Sequence, residues 1–167
     1  EVIANLASKI LGKAINPNDH VNFGQSSNDV IPTAIHISAV LEVLETLIPA
    51  LQHLIEVIEN KAKDVKSYCK TGRTHLMDAM PVRLDQSLLG WSDQLTQNIE
   101  LIEKVLETLK KLALGGTAVG TGINTHEKFP ARFAENLSAV TGVKFSSANN
   151  FFPLMGSQDS AVALSGQ

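Results

Sequence analysis

The sequence predicts an all-α protein, a bundle of long helices with little or no β structure. Three observations lead there. Two stretches of more than thirty residues carry apolar side chains at alternating spacings of three and four, the period of a helix packed along its length. Strand signals are confined to short pieces around residues 65–71 and 143–145. The segments between the periodic stretches are polar and contain glycine, as connections do.

Taken in order, the segment Glu1 to Ala7 has neither an initiator Met nor a helix-capping residue. The first long helix is expected after Asn28-Asp29, with Pro32 in its first turn, a common helix start. Its apolar row runs Ala34, Ile37, Leu41, Leu44, Ile48, Leu51, Ile55, Ile58, Ala62 and Val65, flanked by a second row of His36, Val43, Ala50 and Val57. Two rows call for several neighbours. Pro49 lacks an amide hydrogen and is expected to bend the rod. The second rod is expected from Pro81 to Leu114, along Leu84, Leu88, Trp91, Leu95, Asn98, Ile102, Val105, Leu109 and Leu112. Asn98, the polar member of that stripe, reads as a buried residue fixing register. Gly115-Gly116 is expected to end the helix. A shorter helix is expected over Glu127 to Thr141 with Gly142 closing it, then a connector at Phe151-Phe152-Pro153, then a last helix from near Gln158. The chain stops at Gln167 within an apolar pattern, so both ends read as cut.

Composition narrows the function classes. With 167 residues the length suits one domain. An apolar content of 44% against 19% charged residues excludes intrinsic disorder. Seventeen acidic residues against 14 basic ones, with no basic run, argue against a nucleic-acid partner. No uncharged apolar stretch of about 18 residues is present, so no membrane partner is expected. Nor does a basic segment precede an apolar core, as a signal peptide requires. The single cysteine, Cys69, excludes an internal disulfide or a cysteine-based zinc cluster, which points to a reducing, cytoplasmic setting. Cys69 itself reads as a small buried residue.

The polar loops are where chemistry can sit. The first, residues 16–29, brings Gly24-Gln25-Ser26-Ser27-Asn28-Asp29 to a helix start, where hydroxyls, an amide and free N–H groups at the positive dipole end suit a carboxylate. A plainer reading stands beside it, in which Ser27, Asn28 or Asp29 only caps the helix. The second, residues 71–81, places His75 among small polar residues, and an imidazole can give or take a proton near neutrality. Arg73 either holds an anion or pairs with Asp78. The third, residues 115–126, is glycine-rich, but Thr125 stands where the last glycine of a dinucleotide motif belongs and no Lys follows Gly120, so no phosphate cradle is read there. His126-Glu127 lacks the second His of a metal motif.

These three loops, Gly24-Gln25-Ser26-Ser27-Asn28-Asp29, Gly72-Arg73-Thr74-His75-Leu76 and Gly115-Gly116-Thr117 through to His126, in this order between long helices, resemble the fumarase/aspartase superfamily and, within it, the class II fumarases. Aspartases carry Ser-Thr-Asn-Asp and Arg-Thr-Gln-Leu at the first two motifs; both differences favour fumarase. The resemblance implies reversible addition of water to fumarate, giving L-malate in the citric acid cycle, with no metal or organic cofactor. It also implies a homotetramer whose active sites each draw on three subunits. Residue by residue it assigns Ser26, Ser27 and Asn28 to the substrate carboxylates, Thr74 to a further hydrogen bond and His75 to catalytic proton transfer. A second dicarboxylate site would involve Asn16, Asn18 and Asp19, although many members have His where this chain has Asn16. Residues 1–25 then correspond to the end of an N-terminal domain, and 26–167 to part of the central helical bundle. Two family motifs, a Thr-containing loop and a Gly-Ser-Ser-x-Met-Pro loop with the serine base, are expected just before Glu1 and well beyond Gln167, so the isolated chain is expected to be inactive. The alternatives are an aspartase-type ammonia lyase and a non-catalytic helical scaffold.

Overall fold

The computed structural model describes residues 1–167 and is 62% helical, with only short strands. Helix α1 (Val2–Leu11) precedes a π-helical turn over Pro17–Val21. Helix α2 (Ser27–Glu42) continues through a second π-helical turn (Val43–Leu47) into α3 (Ile48–Asp64). Strands β1 (Cys69–Thr74) and β2 (Met77–Arg83) form an antiparallel hairpin ahead of α4 (Leu84–Leu109). Then come β3 (Lys111–Leu112), α5 (Phe129–Thr141), β4 (Ser146–Ser147), α6 (Phe152–Gly156) and α7 (Asp159–Ser165), with β3 and β4 paired in parallel.

The long-helix class holds, and the differences lie at the helix ends. Helix α1 is an addition to the expected elements; Gly12 closes it in a left-handed conformation. Ahead of Pro49 the first rod departs from α geometry in a π turn, where Ile48 N–H donates to Val43 O. The second rod is shorter than predicted at both ends. At its start Pro81, Val82 and Arg83 are in β2, opposite Thr71, Lys70 and Cys69, so the hairpin ladder takes their backbone groups. Leu84 N–H donates to Tyr68 O at 3.0 Å, and Gln86 Oε1 accepts from Arg83 N–H at 3.0 Å. At its end the carbonyls of Lys110 and Leu112 accept from Ser146 and Ala148 N–H, each at 3.0 Å. That pairing draws the chain out of the helix while Leu112, Ala113 and Leu114 stay buried. The third helix starts at Phe129, two residues late, and Phe152–Gly156 is itself a short helix.

The chain divides into two compact units. One comprises Glu1–Val40 and Glu107–Ser165. Its core includes Val40, Leu109, Leu112, Ala134 and Phe145. Buried His36 donates from Nδ1 to Lys111 O at 2.9 Å, tying α2 to β3. The other unit comprises Leu41–Leu106 with Gly166–Gln167. Its buried apolar residues include Val43 of the π turn, Ile48 and Ala62 of α3, and Ile99 and Ile102 of α4, and Ser92 donates to Glu59 at 3.0 Å. Asn98 is half-buried beside Trp91 and Leu95, so in this chain it does not reach the buried position expected of it. Cys69, at the start of the hairpin, is exposed rather than buried.

By length and composition alone the run Ser27–Asp64 would cross a membrane, with a mean hydropathy of 1.6 over its most apolar 18 residues and 22% of that window buried. Against a span stand exposed Glu42, Glu45, Glu56 and Glu59 on the same run. The buried polar groups Asp29 and His36 are bonded within the protein. An apolar rod of this kind serves equally as the packing helix of a bundle.

Candidate functional site

The start of α2 is built by a capping box. Asn28 N–H donates to Ser26 Oγ at 3.2 Å, and Asp29 Oδ1 reaches back to accept from Ser26 N–H at 2.9 Å. Ser26 is therefore the cap, one residue ahead of the three candidates that the sequence offers. As an acceptor, Ser26 Oγ keeps its own proton to donate. Ser27 and Asn28 are exposed and Ser26 is half-buried, while Asp29 is fully buried. The N-terminal turn thus presents two hydroxyls and an amide outward and keeps its carboxylate inside.

The glycine-rich loop sits against this turn. Asp29 Oδ2 accepts from Gly115 N–H at 3.0 Å and from Thr117 N–H at 2.8 Å. Asn28 Nδ2 donates to Ala118 O at 2.7 Å, which leaves its second N–H and its carbonyl oxygen for a ligand. Gly115 has φ +106°, and a Cβ there would lie 2.2 Å from Pro130 Cγ, so only glycine fits. Thr117 holds φ +58° while 4% exposed, and its hydroxyl has no partner. The loop is a structural support for the α2 start as well as a tight turn, a role that its composition does not announce. Sequence reasoning treats Asp29 only as a possible cap; the Ser-x-x-Asp spacing is the signal that points further.

Thr74 and His75 belong to the other compact unit, at the tip of the β1–β2 hairpin. Thr74 pairs with Met77, so His75 and Leu76 form a two-residue loop with φ +52° and +62°. Such a loop normally takes Asn-Gly. Holding His and Leu there costs about 1–3 kcal/mol each, and the result is an imidazole carried on an exposed tip. Arg73 pairs with Asp78, yet at 3.8 Å between exposed groups the contribution is about 0–1 kcal/mol. The hairpin base is held better. Arg83 donates to both carboxylate oxygens of Asp85, at 2.9 and 3.0 Å. That bond holds the Asp85 carboxyl below the usual carboxylate range and raises Arg83.

The second-site residues divide. Asn16 Oδ1 accepts from Asn18 and Asp19 N–H at 2.8 and 3.1 Å, capping the first π turn. Asn18 and Asp19 line a cleft of about 690 Å³ together with Asn22, Gln25, Asn124 and His126. The last two come from the glycine-rich loop, and nothing in the sequence marks them as partners of this segment.

Against known proteins, the family model described as Lyase matches residues 1–167. The chain is 60% identical over 167 residues to fumarate hydratase class II 2 of Pseudomonas aeruginosa, covering 100% of this chain and 36% of that protein. It is 52% identical over 167 residues to fumarate hydratase class II of Xylella fastidiosa strain 9a5c, covering 100% and 35%. The crystal structure of recombinant class II fumarase from Schistosoma mansoni superposes with a TM-score of 0.91 at 35% identity, over 98% of this chain and 38% of that one. The chain spans little more than a third of the length of these relatives. Motifs, helical architecture and comparisons agree along the whole chain, which belongs to the lyase family and is similar within it to the class II fumarases.

Proposed function

We propose that the whole protein is a fumarate hydratase, a carbon–oxygen lyase that adds water reversibly to fumarate to give L-malate in the citric acid cycle. The observation that carries this reading is the α2 start, where Ser26, Ser27 and Asn28 face outward at a positive helix end while Asp29 is bonded inside. A dicarboxylate meets donors there and no exposed carboxylate. Removal of the proton next to a carboxylate builds negative charge on that carboxylate, so donors aimed at it lower the barrier. Ser26, Ser27 and Asn28 take that part, Thr74 adds a hydrogen bond, and His75 assists protonation of the departing hydroxyl. No metal or organic cofactor has a role in this scheme. Catalysis takes place in a cytoplasmic homotetramer that brings several subunits to each site. Asn18 and Asp19, oriented by the Asn16 cap, form the second dicarboxylate site. The test is to supply the whole protein with L-malate and with L-aspartate separately while following fumarate absorbance. Fumarate from malate is expected; fumarate from aspartate alone would overturn the assignment in favour of an ammonia lyase, and fumarate from neither in favour of a scaffold.

A further inference from the structure

Asp29 is fully buried and accepts three backbone N–H bonds, from Ser26, Gly115 and Thr117, at 2.8 to 3.0 Å. A buried carboxylate is expensive unless it is well bonded, and a helix cap alone needs only the first of those bonds. The other two hold a loop 86 and 88 residues away in sequence. That loop bonds to itself, with Gly120 and Gly122 N–H both donating to Gly116 O at 2.9 and 3.1 Å, yet its first turn is left to Asp29. Thr117 sits at φ +58° with an unpartnered hydroxyl, and Gly115 at φ +106°. The loop's position in turn places the Ala118 carbonyl, which accepts from Asn28 Nδ2 at 2.7 Å.

We propose that Asp29 is a positioning residue for the carboxylate site. It clamps Gly115 and Thr117 so that Ala118 O sets the orientation of the Asn28 amide, leaving one N–H of that amide aimed outward. The proposal rests on the reading of Ser26–Asn28 as the substrate-carboxylate site. It differs from a capping role because Asp29 acts through Asn28, and residues acting as one unit give non-additive losses.

The experiment is a double-mutant cycle in the whole protein, with Asp29→Asn, Asn28→Ala and the pair, each checked by circular dichroism and sedimentation. Asp29→Asn keeps the shape but sets an NH2 group against backbone donors. Its kcat/KM is expected to fall about 10²-fold, the scale of a misplaced binding group. The double variant is expected within about threefold of Asn28→Ala alone. Losses that simply multiply would overturn the proposal and leave Asp29 as a cap.

Should Asp29→Asn not fold, amide hydrogen exchange of the unaltered protein decides, with succinate as the probe. Succinate is expected to slow exchange in the segments around 26–28 and around 115–118 together. Slowing confined to 26–28 would overturn the clamp while leaving the carboxylate site standing. No change in either segment would overturn the carboxylate site itself, and the clamp with it.

Discussion

The two groups of candidate residues are built in opposite ways. Ser26, Ser27 and Asn28 rest on a buried, cross-bonded base in which Asp29 and Asn28 together make four bonds of 2.7 to 3.0 Å to surrounding backbone. Thr74 and His75 stand on a hairpin tip where Leu76 is 97% exposed and Met77 70%. The first group is organised within its own chain. The second carries two strained residues on an exposed apolar tip. Under the proposed reading of a site assembled from several subunits, the first group is the receptor for the substrate and the second the group that arrives on assembly.

Three substitutions test that contrast, in order of effect. Replacing His75 by Asn in the whole protein is expected to cut turnover by about 10² or more without lowering the melting temperature, because Asn suits the left-handed backbone at φ +52° better than His does. A full rate in that variant would reduce the tip to a loop-stabilising turn. Gly115→Ala acts on the other group. With Pro130 Cγ 2.2 Å from the new Cβ and φ at +106°, a loss of about 2–4 kcal/mol is expected in denaturant unfolding. Unfolding unchanged from the parent would mean that the loop under Asn28 is not rigid.

The smallest effect concerns the hairpin base. Asp85 titrates below its ordinary value because Arg83 is bonded to it. Its contribution to stability is therefore complete above the ordinary aspartate value of about 3.9 and is lost as pH falls through the lower folded value. Asp85→Asn should lower the melting temperature modestly at neutral pH, a difference that persists down to the ordinary aspartate value and closes only as pH falls through the lower folded value. A constant difference across that range would remove the Arg83 bond as its cause.

How much of this is legible in the sequence depends on the scale of the feature. The apolar rows, the polar loops and the three motifs are local or periodic, and each is readable because side-chain spacing reports directly on a helix face. The hairpin is only partly legible: the strand signal at 65–71 overlaps the start of β1, but from Cys69 to Arg83 almost every residue is exposed, so no alternation of apolar and polar residues marks the rest. Where the second rod ends is hidden for another reason. Leu112 continues the apolar period, but Ser146 and Ala148, more than thirty residues on, claim the carbonyls that would have extended the helix.

From the amino-acid order alone came the long-helix class, the order of the three motifs and the identity of Ser26, Ser27, Asn28, Thr74 and His75 as the polar groups to watch. Periodicity and local residue chemistry suffice for the helices, for Ser26 to Asn28 and for His75, while Thr74 and the meaning of the motif order come from the family resemblance. Tertiary structure decided that Asp29 faces inward, that the glycine-rich loop supports Asn28, and that His75 rides on a strained exposed turn. Each depends on pairing backbone groups that are distant in sequence or on a conformation imposed by a partner strand, and a linear pattern holds neither.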